Sequence, residues 1–258
     1  MSTLTSSDVY IWYRSTASLT GDVVKLADRY LSTEERFRRD RLRNEVDRHD
    51  FTIAHDLLRR ALSKHVDVRP SDWRFDVNNY GKPSIESLDP QTRALSFSLS
   101  HTRGCVACAI TSNALLGIDL ERIDRSQRVQ EIADRFFSEE EATWLSRCSD
   151  DLRNIRFTEL WTLKEAFIKA IGVGLSASPS IISFQFEEPA WIGFSVPFTF
   201  HPHKWHFALF EPFRDVRLAI AIQSVTEPHF MMRLCEGNKR LLAPIRVGPH
   251  KRTRSSRV

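Results

Sequence analysis

The sequence predicts an α+β fold and suggests an internal structural duplication, and two observations carry that reading. The coarse order strand, helix, strands occurs twice, once on either side of about residue 115, with no accompanying repeat of residues. The apolar pattern also switches between a period of two and helical spacing, which separates strands from helices along the chain.

The elements follow in order. Residues 9–13, Val-Tyr-Ile-Trp-Tyr, read as an opening strand, and the stretch from about 33 to 65 reads as helix, with Phe51, Leu57, Leu58, Ala61 and Leu62 on an apolar face. Nine arginines between Arg29 and Arg60 are interleaved with acids, as on a salt-bridged, solvated helix face. Asn78 to Pro83 is a turn by composition. From Ala94 to Ser100, Leu95, Phe97 and Leu99 alternate with serines, so a half-buried strand delivers Ser100-His101-Thr102 at its end. Val106 to Thr111 and Leu115 to Glu121 read as two further strands of an antiparallel meander. Ser138 and Glu141 have capping-box spacing, and a longer helix runs from about Asn154 to Ile171, stopped by Gly172 and Gly174. Strand-like runs follow at 181–186, 194–200, 205–210 and 217–225. The expected division is an N-terminal half over 1–114, a C-terminal half over 115–228 and an extension over 229–258.

The chain has 258 residues, 41% hydrophobic and 27% charged, with 9 Gly and 11 Pro, which excludes collagenous, low-complexity and wholly disordered classes. Its formal charge of +4 owes much to Arg246, Lys251, Arg252, Arg254 and Arg257, so the charge of the body says little about partners. Cys105, Cys108, Cys148 and Cys235 are too few and too irregular for a disulfide framework. Cys105 and Cys108 fall in an apolar run and read as core thiols. No apolar run approaches a membrane span, and the N-terminus lacks a signal-like apolar region, so a cytoplasmic protein is expected.

Period two in Leu116-Gly117-Ile118-Asp119-Leu120-Glu121 places Asp119 and Glu121 on one strand face beside a residue without a side chain, roughly 7 Å apart by strand rise. Two such carboxylates suit a hard cation that keeps open positions for phosphate oxygens; a water-facing polar strand face gives the same alternation. In the following helix Trp161, Glu165 and Lys169 lie along one stripe. Glu165 could supply a third carboxylate, and Lys164 or Lys169 a cation for phosphate; a helix-stabilising ion pair is the alternative.

These residues carry a resemblance. Trp161-Thr-Leu-Lys164-Glu165-Ala-Phe-Ile-Lys169, followed by Gly172-Val-Gly174-Leu175, resembles the W-x-x-K-E-A-x-x-K…G-x-G-L signature of the 4′-phosphopantetheinyl transferases. Gly117-Ile-Asp119-Leu-Glu121 is similar to that family's G-[IV]-D-[IV]-E, and Arg135-Phe-Phe-Ser138 to its R-F-F-S. Gly81-Lys82-Pro83 and Ser100-His101-Thr102 resemble two further blocks of the longer, Sfp-type branch, and all five occur in the family's order.

The resemblance implies two halves related by a pseudo-twofold axis, with coenzyme A and Mg²⁺, or Mn²⁺ in its place, in the cleft between them. It implies a holo-[acyl-carrier-protein] synthase type of reaction, in which the phosphopantetheine arm of CoA passes to a serine of an apo acyl or peptidyl carrier protein and adenosine 3′,5′-bisphosphate leaves. By the same resemblance Asp119, Glu121 and Glu165 ligate the metal, and Lys169 contacts the pyrophosphate and serves the leaving group. Lys82 and Pro83 line the adenine pocket, and Ser100, His101 and Thr102 hold the nucleotide phosphates. Glu165 is the expected base, acting directly or through a water. One departure concerns the 3′-phosphate: Asp50 stands where the family pattern suggests arginine, and Arg48 is the nearest substitute. Glu141 matches a position linked to carrier contact, which its capping-box spacing explains equally well. Both halves lie in one chain, so a monomer is expected, with no membrane or nucleic-acid partner. The alternatives from the same residues are a Mg²⁺-dependent nuclease and a non-catalytic binder of CoA or carrier protein.

Overall fold

The computed structural model describes residues 4–123, 128–174, 177–187, 191–234 and 245–249. Strand β1 (Asp8–Ser15) leads into α1 (Gly21–Asp28), α2 (Thr33–Asp40) and α3 (Glu45–Leu62). A short ribbon of β2 (Phe75–Val77) and β3 (Pro83–Ile85) and the single turn α4 (Pro90–Arg93) precede the hairpin β4 (Leu95–Thr102) and β5 (Cys105–Ser112). Then come β6 (Leu116–Arg122), α5 (Val129–Phe136), α6 (Glu139–Ser146) and α7 (Asp150–Ile171). The last strands are β7 (Ser183–Glu187), β8 (Trp191–Ser195), β9 (Trp205–Phe210), β10 (Val216–Gln223), β11 (His229–Leu234) and β12 (Ile245–Pro249).

The strands form one sheet in the order β11-β1-β5-β4 and a second in the order β6-β10-β9-β12-β8-β7. The antiparallel runs β1-β5-β4 and β6-β10-β9 match: each half's opening strand pairs with the second strand of a hairpin. The two sheets enclose an apolar layer of Val9, Ile11 and Tyr13 from β1 and Leu116, Ile118 and Leu120 from β6, closed by Leu218, Ile220 and Ile222 of β10. Outside it, α3 covers the first sheet and α7 the second. Strand β5 is therefore buried on both faces. Cys105 faces the layer between the sheets and Cys108 faces α3, so this Cys-x-x-Cys is core packing; Cys235 lies outside the described residues.

Three expectations change. The helix foreseen over 33–65 is two helices. Ser32 and Glu35 close a capping box at the start of α2, and the link between α2 and α3 is held by Arg48, whose Nη1 donates to the carbonyls of Leu42 and Arg43. The run 194–200 ends as strand at Ser195, because Pro197 starts a 3₁₀ turn over Phe198–Phe200. The meander breaks after its second strand: β6 leaves the first sheet and pairs with β10, which gives Leu116, Ile118 and Leu120 an apolar partner face. The carboxy-terminal strands join both sheets, β11 parallel to β1 and β12 between β9 and β8. Among the described residues no helix is long and apolar enough to cross a membrane.

Candidate active site

The site forms where β6 meets α7, and Gly117 sets that contact. A Cβ on Gly117 would fall 1.9 Å from the Ala166 carbonyl oxygen and 2.5 Å from the Ala170 nitrogen, so only a bare backbone admits the helix at this distance. Ala166 and Ala170 form the contact row of α7. Glu165 and Lys169, each one residue earlier, lie on the adjacent row, beside the strand face that carries Asp119 and Glu121.

Strand β4 supplies the third wall. It lies alongside β6 without a backbone ladder, and serine hydroxyls stand in for the missing carbonyls. The Ile118 N–H donates to Ser98 Oγ at 3.0 Å, and the Leu120 N–H to Ser100 Oγ at 3.2 Å. Two serines of the run read as a half-buried strand thus face a neighbouring strand: Ser98 and Ser100 are buried.

The charges converge there. Lys169 Nζ donates to Asp119 Oδ1 at 2.6 Å and to Ser100 Oγ at 2.9 Å, while the Ser100 hydroxyl donates to the same Asp119 oxygen at 3.0 Å. Thr102 Oγ1 lies 3.5 Å from Glu121 Oε2. Burial, together with the charges of Asp119 and Glu165, pushes the Glu121 carboxyl up to about 7, against the opposing pull of Lys169 and the Thr102 hydroxyl. Burial and Asp119 likewise raise Glu165, again against Lys169. His101 sits exposed at the rim, yet the protein packed about it and then the Lys169 charge hold its imidazole below the usual range.

A cluster of this kind fits a cation. Asp119 Oδ2 is buried with no hydrogen-bond partner, which is costly for a carboxylate oxygen, and burial together with the neighbouring carboxylates raises the proton affinity of Glu121 and Glu165 against the pull of Lys169. Among the described residues no group of three or more His, Cys, Asp or Glu side chains is already placed so that it could hold a metal ion by itself. An open set is what Mg²⁺ uses when phosphate oxygens and water complete its shell.

Next to the cluster lies a cavity of about 210 Å³ bounded by Tyr80, Lys82, Pro83, Leu99, Ile168 and Lys169. Lys82 Nζ donates to the carbonyls of Ala170 at 2.8 Å and Leu116 at 3.3 Å, and burial lowers its pKa to about 8. Its stem faces the cavity while its charge ties the 78–83 turn to α7 and β6. Gly172, left-handed at φ 72°, ends α7 where the turn packs on it. Asn78, which the sequence reading assigned only to a turn, holds that turn: its amide donates to the Gly172 carbonyl at 2.9 Å and its oxygen accepts from the Tyr80 and Lys82 N–H groups.

Other residues go elsewhere. Lys164, offered as a phosphate cation, is fully buried away from the cluster. It pairs with Glu141 at 2.8 Å and donates to the carbonyls of Pro179 and Ile182, and Glu141 accepts the Phe184 N–H at 2.8 Å. The capping box of Ser138 and Glu141 is present. Asp50 is also structural: it accepts from Thr16 Oγ1 and from the Gly104 N–H at 2.9 Å, which fastens α3 to the β4–β5 turn. Arg48 lies two residues away, with its Nη1 spent on the α2–α3 link.

Comparison with known proteins decides the family. Residues 115–221 match the model of the 4′-phosphopantetheinyl transferase superfamily. The 4′-phosphopantetheinyl transferase HetI of Nostoc sp. is 31% identical over 189 residues, 73% of this chain and 79% of the relative. The chain belongs to the 4′-phosphopantetheinyl transferase superfamily. A second relative, the 4′-phosphopantetheinyl transferase Sfp of Bacillus subtilis, is 32% identical over 173 residues, 67% of this transferase and 74% of that one. Among solved structures, the holo-[acyl-carrier-protein] synthase of Thermotoga maritima aligns with 44% of this chain and 65% of its own at 22% identity and a TM-score of 0.34. The protein is therefore an enzyme that transfers 4′-phosphopantetheine, an activity that uses coenzyme A and modifies a carrier protein.

Proposed function

We propose that this transferase moves the phosphopantetheine arm of coenzyme A onto a serine of an apo acyl or peptidyl carrier protein in a cleft between two pseudo-symmetric halves, 1–114 and 115–228, with strands from 229–258 added to both. The observation that carries this reading is the convergence of Asp119, Glu121, Glu165 and Lys169 at the β6–α7 contact, with one Asp119 oxygen left unpartnered. The matching strand runs β1-β5-β4 and β6-β10-β9 support the pseudo-twofold arrangement.

Asp119, Glu121 and Glu165 would hold Mg²⁺, or Mn²⁺ in its place, and the ion supplies neutralisation of the pyrophosphate charge. Lys169 adds a second positive charge beside them and lies at the cavity edge, where it can stabilise the departing phosphate. The carrier serine attacks the phosphorus of the phosphopantetheine arm. Its O–H proton passes to a base and the bond to the departing adenosine 3′,5′-bisphosphate breaks. Glu165, its proton affinity raised by burial and by Asp119, is the base, directly or through a water. Lys82 and Pro83 bound the cavity that would take the adenine, with His101 and Thr102 on the phosphates and Arg48 toward the 3′-phosphate. The acidic helix of a carrier protein would dock beside the cleft of a monomeric enzyme in the cytoplasm.

Intact mass spectrometry of an apo carrier protein incubated with enzyme, CoA and Mg²⁺ tests the reading. One phosphopantetheine mass should appear and be lost with EDTA or in Asp119→Ala. Full turnover by Asp119→Ala, or in EDTA, overturns the site.

A further inference from the structure

The Ser100 hydroxyl has a single hydrogen to donate and two lone pairs to accept with, and the structure uses all three. It donates to Asp119 Oδ1 at 3.0 Å, accepts from Lys169 Nζ at 2.9 Å and accepts from the Leu120 N–H at 3.2 Å. A phosphate oxygen needs a donor, and the only proton of the Ser100 side chain is already spent on a buried carboxylate.

We propose that Ser100 is a positioning residue: its hydroxyl orients the Asp119 carboxylate and the Lys169 ammonium against each other, and that hydroxyl does not ligate the nucleotide phosphates. This departs from the role the resemblance implied for it, and rests on the reading of Asp119 and Lys169 as site residues. Three elements meet at this one oxygen, the end of β4, the middle of β6 and the last turns of α7. Removing it frees two charged side chains at once. Ser98 offers an internal control, because it makes the equivalent bond to the Ile118 N–H and lines the cavity with Lys169, yet is hydrogen-bonded to neither Asp119 nor Lys169. A purely structural role for the serine row predicts the same consequence at both positions, whereas positioning predicts consequences at Ser100 alone.

The test compares Ser98→Ala, Ser100→Ala and Ser100→Thr in the full chain. CoA affinity is measured by calorimetry in EDTA, Mg²⁺ affinity by titration without CoA, and transfer to an apo carrier protein by kcat and KM. Expected for Ser100→Ala are a CoA Kd within about threefold of wild type, a Mg²⁺ affinity at least several-fold weaker and a kcat roughly 10–100-fold lower, the loss of hydrogen bonds to charged groups. Ser98→Ala should keep kcat within about threefold, and Ser100→Thr should recover most of the loss because it keeps the hydroxyl. A CoA Kd in EDTA at least tenfold weaker in Ser100→Ala would identify a direct phosphate ligand and overturn the proposal. Equal losses in Ser98→Ala and Ser100→Ala would overturn it in favour of strand packing. Where Ser100→Ala fails to fold, Ser100→Cys keeps the volume with a weaker donor and must show the same split between kcat and CoA affinity. Metal-independent transfer by the wild type would remove the assumed metal site instead, a result distinct from either.

Discussion

Lys169 and Asp119 stand 2.6 Å apart, ammonium to carboxylate, across the seam between α7 and β6, while the other Asp119 oxygen is buried without a partner. One lysine thus serves a carboxylate that has capacity for a second cation, and it does so at the edge of the cavity. Replacing it with a neutral chain of similar length should separate its two duties. Lys169→Met is expected to lower kcat by roughly 10²–10³-fold, the range for losing one preorganised charge at a reacting group. Its CoA affinity should fall less; steady-state transfer beside direct CoA titration checks this, and an unchanged kcat would exclude the lysine from the chemistry.

Glu121 gives the site a pH dependence. Its carboxyl is pushed up to about 7 by burial and by its acidic neighbours, so below that pH it is protonated and has no charge to offer a cation. Mg²⁺ affinity should therefore fall as pH drops from 8 to 6, and binding near pH 7 should release a proton. Calorimetric titration in two buffers of different ionisation enthalpy measures both; affinity flat over that range would refute it.

Gly117→Ala should be severe for a residue one methyl larger. The added carbon meets the Ala166 carbonyl and the Ala170 nitrogen, both backbone, which can yield only if α7 moves as a unit. A destabilisation of about 2–4 kcal/mol is expected from such overpacking. Thermal unfolding should show the drop, and activity should fall with it because Glu165 and Lys169 ride on the displaced helix.

The buried pair Lys164–Glu141 should behave as structure. Removing one partner leaves an uncompensated charge inside, at a cost of about 3–5 kcal/mol in either Lys164→Met or Glu141→Gln. The double variant should cost less than the two added together. Chemical denaturation of the three proteins gives the coupling, and strict additivity would show that the pair does not interact.

Much of this site was legible in the chain itself. Period two separates Leu116, Ile118 and Leu120 from Gly117, Asp119 and Glu121, and the observed strand divides them in that way. The helical stripe that unites Glu165 with Lys169, and the glycine that ends α7, also follow from local rules. Lys164 and Lys169 illustrate the limit. Both lie in the same motif, and only the fold sends one under α6 to Glu141 and the other to Asp119.

Local chemistry determined by itself the opening strand, the alternating strands up to β6, the long helix ended by Gly172, the acidic strand face and the presence of a positive partner on the helix. Tertiary structure decided the rest. A serine facing water and a serine facing the bare N–H groups of a neighbouring strand have the same spacing in sequence, so the seam of Ser98 and Ser100 against β6 emerges only once two sheet edges meet. The departure of β6 from the first sheet and the seating of β12 between β9 and β8 are likewise choices among distant partners. Periodicity tells which face of a strand is apolar but not which distant strand lies at its edge, because pairing depends on burial summed over the whole molecule.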